Sequence, residues 1–244
     1  CYPGLACDGQ GAPGVYCAGN EKTFEFLQNI ISEVVELFPG EYLHIGGDEV
    51  GKEGWLQCPK CRRRMQVENL QSGEELQSYF VKRMEAFIHS KGKKLIGWDE
   101  ILEGGLPERA TVMSWRGVKG GVEAANAGHD VVLSPGSPLY FDHSQGESEF
   151  EPPSWGGYNN LLSVYNFDPV PDEIEPGKEH HILGGQANLW TEQVRTLRHA
   201  QYMMLPRLCA LSEVLWTPPA QKSQSGFIEK MDVHFDRLSD LGYH

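Results

Sequence analysis

The chain has 244 residues, 40% hydrophobic and 10% aromatic, enough for one large core and within the range of a single α/β barrel or two small domains; one domain over 1–244 is the simpler reading. A formal charge of −13 and an isoelectric point near 5.1 exclude nucleic acid and other polyanions as partners, because phosphate binding needs concentrated Lys and Arg. No run reaches the roughly 18 apolar residues of a membrane span, and the opening CYPGLACDGQ has no charged-then-apolar pattern, so the chain is expected to be soluble, any leader having been cleaved.

In chain order, NEKTFEFLQNIISEVVELF reads as a helix with Asn20 as N-cap and Phe24, Leu27, Ile31, Val34 and Phe38 on one face. EYLHIGG reads as a strand that runs into two glycines and the adjacent carboxylates Asp48 and Glu49. A second helix opens at Ser72, which Glu75 completes as a capping box, carries Leu76, Phe80, Met84 and Phe87 inward, and stops at Gly92. KKLIGW, ATVMSW, HDVVLS and HHILGGQANLW are further strand-like segments, and their alternation with helical patterns signals βα units around a parallel sheet. The stretch from Pro135 to Pro176, rich in Pro, Gly and aromatics, reads as a loop covering a pocket, with Ser144 to Asn160 as its most mobile part. The helical pattern from Thr196 to Trp216 should break at Pro206, and Gly226 to Leu238 reads as a last amphipathic helix.

Each strand-like segment ends in residues a core would not select: Asp48-Glu49, Trp98-Asp99-Glu100, Trp115-Arg116, Tyr140-Phe141-Asp142 and Trp190-Thr191-Glu192. In parallel α/β folds the C-terminal strand ends build the active site, so these five endings point to one pocket. Tryptophan with carboxylates suits a sugar: indole faces pack on the C–H face of a pyranose while carboxylates accept from its hydroxyls. Trp55 and Trp216 lack such placement and read as packing residues; Glu100, Glu103 and Asp172 read as solvated charges, and Asp99 either faces the pocket or caps the following helix. On a regular strand Asp48 and Glu49 would face opposite sides, but at its end that constraint lapses, and Gly46 and Gly47 leave room for close approach. A buried carboxylate beside an ionised one has its pKa raised, as a general acid requires.

The ordered set HIGGDE, GWDE, MSWRG, YFD, GGQANLWTE and PRLCALSEVLW, preceded by YPGLAC, resembles the catalytic half of the family 20 glycoside hydrolases, the β-N-acetylhexosaminidases. The resemblance implies a (β/α)8 barrel of which this chain holds about strands 4 to 8 with their helices, incomplete on its N-terminal side. It implies release of terminal GlcNAc or GalNAc by substrate-assisted retention, the acetamido oxygen serving as nucleophile. Carried onto matching positions, Glu49 is the acid and later the base, Asp48 orients the acetamido group, and Tyr140 donates to its oxygen. Trp98, Trp115 and Trp190 wall the pocket, Asp142 and Glu192 bind outer hydroxyls, and His44 either supports the acidic pair or is a satisfied core histidine. No cofactor is implied; the partner is a carbohydrate, a homo-oligomer is compatible, and a secreted, periplasmic or lysosomal location follows from the family.

Other readings stay open: a sugar-binding domain without turnover, an inactive fragment, or a metal-dependent hydrolase using His44, Asp48 and His143, which activity insensitive to chelators would eliminate. Six cysteines are too few for a disulfide scaffold. Cys7 and Cys17 could close a small loop in an oxidising compartment. The CPKC motif of Cys58 and Cys61 lacks a second ligand pair at matching spacing and therefore reads as a knuckle in a loop, with no metal site expected.

Overall fold

A computed structural model of the chain describes residues 5–7, 15–147 and 149–243; Cys1 lies outside them. Two compact units divide the chain: Cys1–Met113 with Ala127–Asp130, and Ser114–Asn126 with Val131–His244. Both are α/β, and all five expected strands form and pair in parallel where they pair within a unit.

In the first unit Asn20 caps α1 (Glu21–Leu37) by accepting from the Lys22 N–H at 3.2 Å. Phe24 is the anchor of this helix, its ring 4.9 Å from Phe80 and covered by the Arg83 guanidinium at 3.8 Å. The expected apolar face fades toward its end: Leu27, Ile31 and Val34 are half-buried, and Phe38 is 64% exposed. Phe38 lies past the last helical turn in extended backbone, which swings its side chain off that face.

Strand β1 (Tyr42–His44) pairs with β2 (Lys94–Trp98), Leu43 opposite Leu95, and β2 pairs with β3 (Thr111–Ser114), Trp98 opposite Met113. Helices α2 (Glu53–Gln57), α3 (Pro59–Val67) and α4 (Gly73–Ser90) connect β1 to β2. Ser72 caps α4 through the Glu75 N–H at 3.2 Å, while the Glu75 carboxylate accepts from Gln71 rather than from Ser72. Leu76, Val81, Met84 and Ile88 are buried, and α4 packs on β2. Truncating any one of these to Ala would cost about 2–5 kcal/mol. Helix α4 ends two residues ahead of Gly92, whose φ of 74° needs glycine.

Cys17, Ala18, Trp55, Cys58, Cys61 and Leu76 form a further core of this unit, where Trp55 Nε1 donates to the Tyr16 carbonyl at 2.8 Å. Cys7 and Cys17 are free thiols, so they close no loop by a bridge. Nor does CPKC lie in a loop: Cys58 is the N-cap of α3 and Cys61 belongs to its first turn, because Pro59 at the first helical position starts a helix there.

In the second unit β4 (Val131–Leu133) pairs with β5 (Ile182–Gly185), and α5 (Lys119–Asn126) packs on β4. Gly121 permits that approach, since a Cβ there would lie 2.4 Å from Leu133 Cδ2. Pro135 to Pro176 contains two short helices, α6 (Gly136–Leu139) and α7 (Leu161–Tyr165), and it is packed rather than draped: Phe141, Asn159, Val164, Tyr165, Phe167 and Ile174 are buried. Its anchor comes from outside. Helices α8 (Leu197–Met204) and α9 (Arg207–Trp216) flank Pro206 as expected, and the buried Arg207 of α9 donates to the carbonyls of Phe141, His143, Asn159 and Met203. Trp216, read as a packing residue, is 87% exposed because it ends α9. Helix α10 (Gln224–Asp240) is capped by Ser223 and buries Phe227 and Met231 but leaves Phe235 exposed. Among the described residues no helix is long and apolar enough to cross a membrane.

Candidate active site

The chain leaves β1 through three left-handed residues, Gly46 (φ 73°), Gly47 (φ 99°) and Glu49 itself (φ 48°). For a glutamate this conformation costs about 1–2 kcal/mol, a strain that proteins concentrate at functional sites. Gly47 has no room for a side chain, since a Cβ would fall 2.7 Å from Ile101 Cγ2. Its carbonyl accepts from the buried Gln77 of α4 at 2.7 Å. The Gly46 N–H donates to His44 Nδ1 at 3.0 Å, and the Gly46 carbonyl accepts from the Trp98 N–H at 3.0 Å.

His44 and Trp98 meet edge to face, ring centroids 4.8 Å apart, which fixes the loop from both flanking strands. Burial pushes the His44 pKa down, and the Asp48 charge partly offsets this. His44 thus holds the Gly46 N–H at the start of the acidic loop. Asp48 and Glu49 themselves are exposed, not the buried pair expected, because the left-handed turn lifts both off the strand.

Beside them Asp99 and Glu100 are buried, folded under the strand end by the 3₁₀ turn Asp99–Leu102. Glu100 is thus no solvated charge, and Glu103 is tied to Lys52 at 3.1 Å. A groove of about 250 Å³ in this unit, lined by Glu85, His89, Arg109 and His129, sits where β2 and β3 begin, the end away from these groups, where parallel folds place stability rather than chemistry.

The second unit holds the aromatic set. Trp115 and Tyr140 stack with centroids 6.2 Å apart and 13° between planes; Trp190 meets Tyr140 at 6.1 Å and 67°. Tyr140 is the centre of this group, with His143 on its other side at 5.9 Å. Trp190 remains 41% exposed, available to a ligand face. Backbone pairing sets the register: Gln186 donates to the Leu133 carbonyl, and Asn188 both donates to Leu139 and accepts from Phe141.

Asp142 is 1% exposed, and neither carboxylate oxygen has a hydrogen-bond partner. Burial raises its pKa; the Asp142 and Trp190 N–H groups, which face the carboxylate outside hydrogen-bonding geometry, and the neighbouring His143 pull it down, and Glu192 pushes it up again. A buried carboxylate in this state can accept from a donor that a ligand brings, such as a hydroxyl. Arg207 lies close enough for its charge to matter; burial lowers its own pKa to about 10 against the attraction of Asp142 and Glu151.

The profile of the glycosyl hydrolase family 20 catalytic domain matches residues 6–219. The chain belongs to glycosyl hydrolase family 20. A β-hexosaminidase of Porphyromonas gingivalis is 48% identical over 233 residues, covering 94% of this chain and 30% of that protein. One from Vibrio furnissii is 36% identical, covering 78% of this chain and 32% of its own length. The chain thus spans about a third of the curated relatives it matches. Among solved structures of the family, the exo-β-N-acetylglucosaminidase of Vibrio harveyi, determined with N-acetylglucosamine, superposes with a TM-score of 0.87 at 28% identity over 94% of this chain and 36% of that one.

Within this family member the sequence-predicted residues fall into two groups: His44, Asp48, Glu49 and Trp98 in the first unit, and Trp115, Tyr140, Asp142, Trp190 and Glu192 in the second. Their supporting residues carry no mark in the sequence. Asn159 donates to the carbonyls of Gly136 and Tyr140 and meets His143 Nδ1 at 3.1 Å; Asn188 donates to Ser134 at 2.7 Å; Gln77 and Arg207 hold loops. Lone amides in a sequence carry no signal of this kind.

Proposed function

We infer that the chain is part of a retaining exo-β-N-acetylhexosaminidase, its five strands corresponding to strands 4 to 8 of a (β/α)8 barrel. The observation that carries the reading is the Asp48–Glu49 pair, lifted off the C-terminal end of β1 by left-handed backbone at Gly46, Gly47 and Glu49 inside the family match. Glu49 protonates the leaving glycosidic oxygen while the substrate's acetamido oxygen attacks the anomeric carbon, which gives an oxazolinium ion; Glu49 then removes a proton from the water that opens it. Asp48 orients the acetamido N–H and balances the positive charge that develops there. Tyr140 donates its hydroxyl proton to the acetamido oxygen, Trp98, Trp115 and Trp190 pack on the sugar, and Asp142 and Glu192 accept from outer hydroxyls. The stacking of Trp115 on Tyr140 and the unpartnered Asp142 carboxylate support these roles.

The test uses the full-length protein with aryl β-glycosides of N-acetylglucosamine and of glucose. Turnover of the N-acetyl sugar alone is expected, with Glu49→Gln and Asp48→Asn each lowering kcat by about 10²–10⁴-fold. Equal turnover of the glucoside would defeat substrate assistance, and a harmless Asp48→Asn would remove its role. Tight sugar binding without any turnover would favour a carbohydrate-binding protein instead.

A further inference from the structure

Spacing along the chain gives Cys58 and Cys61 no second ligand pair, yet the fold provides one. Ala6 and Tyr16 form an antiparallel bridge, and the Cys17 N–H donates to the Leu5 carbonyl at 2.7 Å, which sets Cys7 and Cys17 side by side. Both face the start of α3. Cys7 Sγ lies 3.6 Å from Cys61 Sγ, and Cys17 Sγ lies 3.6 Å from Cys61 and 3.8 Å from Cys58. All four sulfurs fall within 4.8 Å of one another.

We propose that Cys7, Cys17, Cys58 and Cys61 bind one zinc ion as a structural tetrathiolate site. A regular tetrahedron with Zn–S bonds of about 2.3 Å has S···S edges of about 3.8 Å, which these separations match. A disulfide would need two of the sulfurs at about 2.0 Å, and no pair approaches that. Thiols acting only as small apolar groups would spread among Trp55 and Leu76 in this core; instead they converge on one point. Soft sulfur donors in tetrahedral array select zinc over hard cations such as magnesium or calcium.

The surroundings fit a centre of net negative charge. The Gly19 N–H faces the sulfurs of Cys17 and Cys61, the outer donor that thiolate sites require. Cys58 caps α3 and Cys61 sits in its first turn, where the helix dipole favours thiolate, and Lys60, Arg62 and Arg63 flank them in sequence. Gly19 is forced by the same packing: a Cβ would stand 2.2 Å from the Lys60 backbone, so the turn through Cys17 and the start of α3 approach only because that residue has no side chain. On binding, each thiol still protonated gives its proton to solvent. The ion would clamp the segment ahead of α1 to the connection that carries Asp48 and Glu49, through four ligands from two distant parts of the chain.

The experiment takes the full-length protein, purified in reductant without chelator, and measures metal by mass spectrometry. About one zinc per chain is expected. Replacement by Co²⁺ should give thiolate-to-cobalt charge transfer and the intense visible bands of tetrahedral cobalt; Cys58→Ser and Cys61→Ser should each abolish that signature, and Cys209→Ser should keep it. Stripping the zinc should lower Tm, and adding Zn²⁺ back should restore it. Should the serine variants fail to fold, the cobalt spectrum of the natural protein still decides. Folded protein with no zinc and only the weak spectrum of octahedral Co²⁺, stoichiometric iron in place of zinc, or disulfides among these four in protein kept reduced would each overturn the proposal.

Discussion

At the scale of single residues, Asp142 is a buried carboxyl without a hydrogen-bond partner, and its proposed binding role would come at the expense of folding. Its carboxyl is held above the ordinary value of 3.8 by burial, so the contribution it makes is fully present below that value and is lost as pH rises through its raised folded pKa. Above that window the ionised side chain costs stability until a ligand hydroxyl reaches it. Asp142→Asn should therefore gain stability relative to the natural protein as pH is raised from about 4, with no gain below, while sugar binding weakens. Urea titrations at several pH values check the first part; a variant equally affected at every pH would contradict it. His44 and His143 run the other way. Burial depresses both, so the stability they lend is present above about pH 6.5 and declines as pH falls through their folded values. Asp48, Glu49, Tyr140 and the tryptophans stand out in the sequence as candidates because they sit in short strings at strand ends. Gln77 could not, since the carbonyl it holds belongs to Gly47, thirty positions earlier.

Among elements, helices and strands followed their local signals closely: Asn20, Ser72 and Pro206 mark boundaries that the backbone adopts. The stretch from Pro135 to Pro176 did not, because its order derives from one side chain far along the sequence. Arg207 supplies donors to three carbonyls of the stretch, those of Phe141, His143 and Asn159, and to that of Met203 in α8. Arg207→Met removes those donors at once, and each buried carbonyl left alone costs about 1–3 kcal/mol. A loss above about 3 kcal/mol is expected by denaturant titration, with sugar affinity falling through displaced Tyr140 and Asp142. A neutral variant would show that the carbonyls find other partners. Composition alone, rich in Pro and Gly, describes a loose cover and conceals this fastening.

For the molecule as a whole, the α/β class with parallel strands was legible because five strand patterns alternate with amphipathic helices, and all five form. The meeting of four cysteines was not, since two come from the segment ahead of α1 and two from the start of α3. Net charge acts at this scale too. With 34 acidic against 21 basic residues, the chain should show no affinity for duplex DNA or heparin near 0.15 M salt. A shift of DNA mobility by micromolar protein would refute that expectation.

The fastening of the Pro135 to Pro176 stretch by a guanidinium borrowed from α9 has one more consequence. Residues 120–177 contain no Lys or Arg, so the cation that orders this stretch cannot be supplied from within it. To trypsin it is a single uncut acidic peptide, silent on whether Arg207 is in place. Cleavage after Glu147 and Glu149 by a glutamate-specific protease reads that state directly, Pro152 blocking a cut after Glu151. Glu151 accepts from the Tyr202 hydroxyl of α8 at 2.8 Å and so ties down the segment next to these two bonds while the fastening lasts.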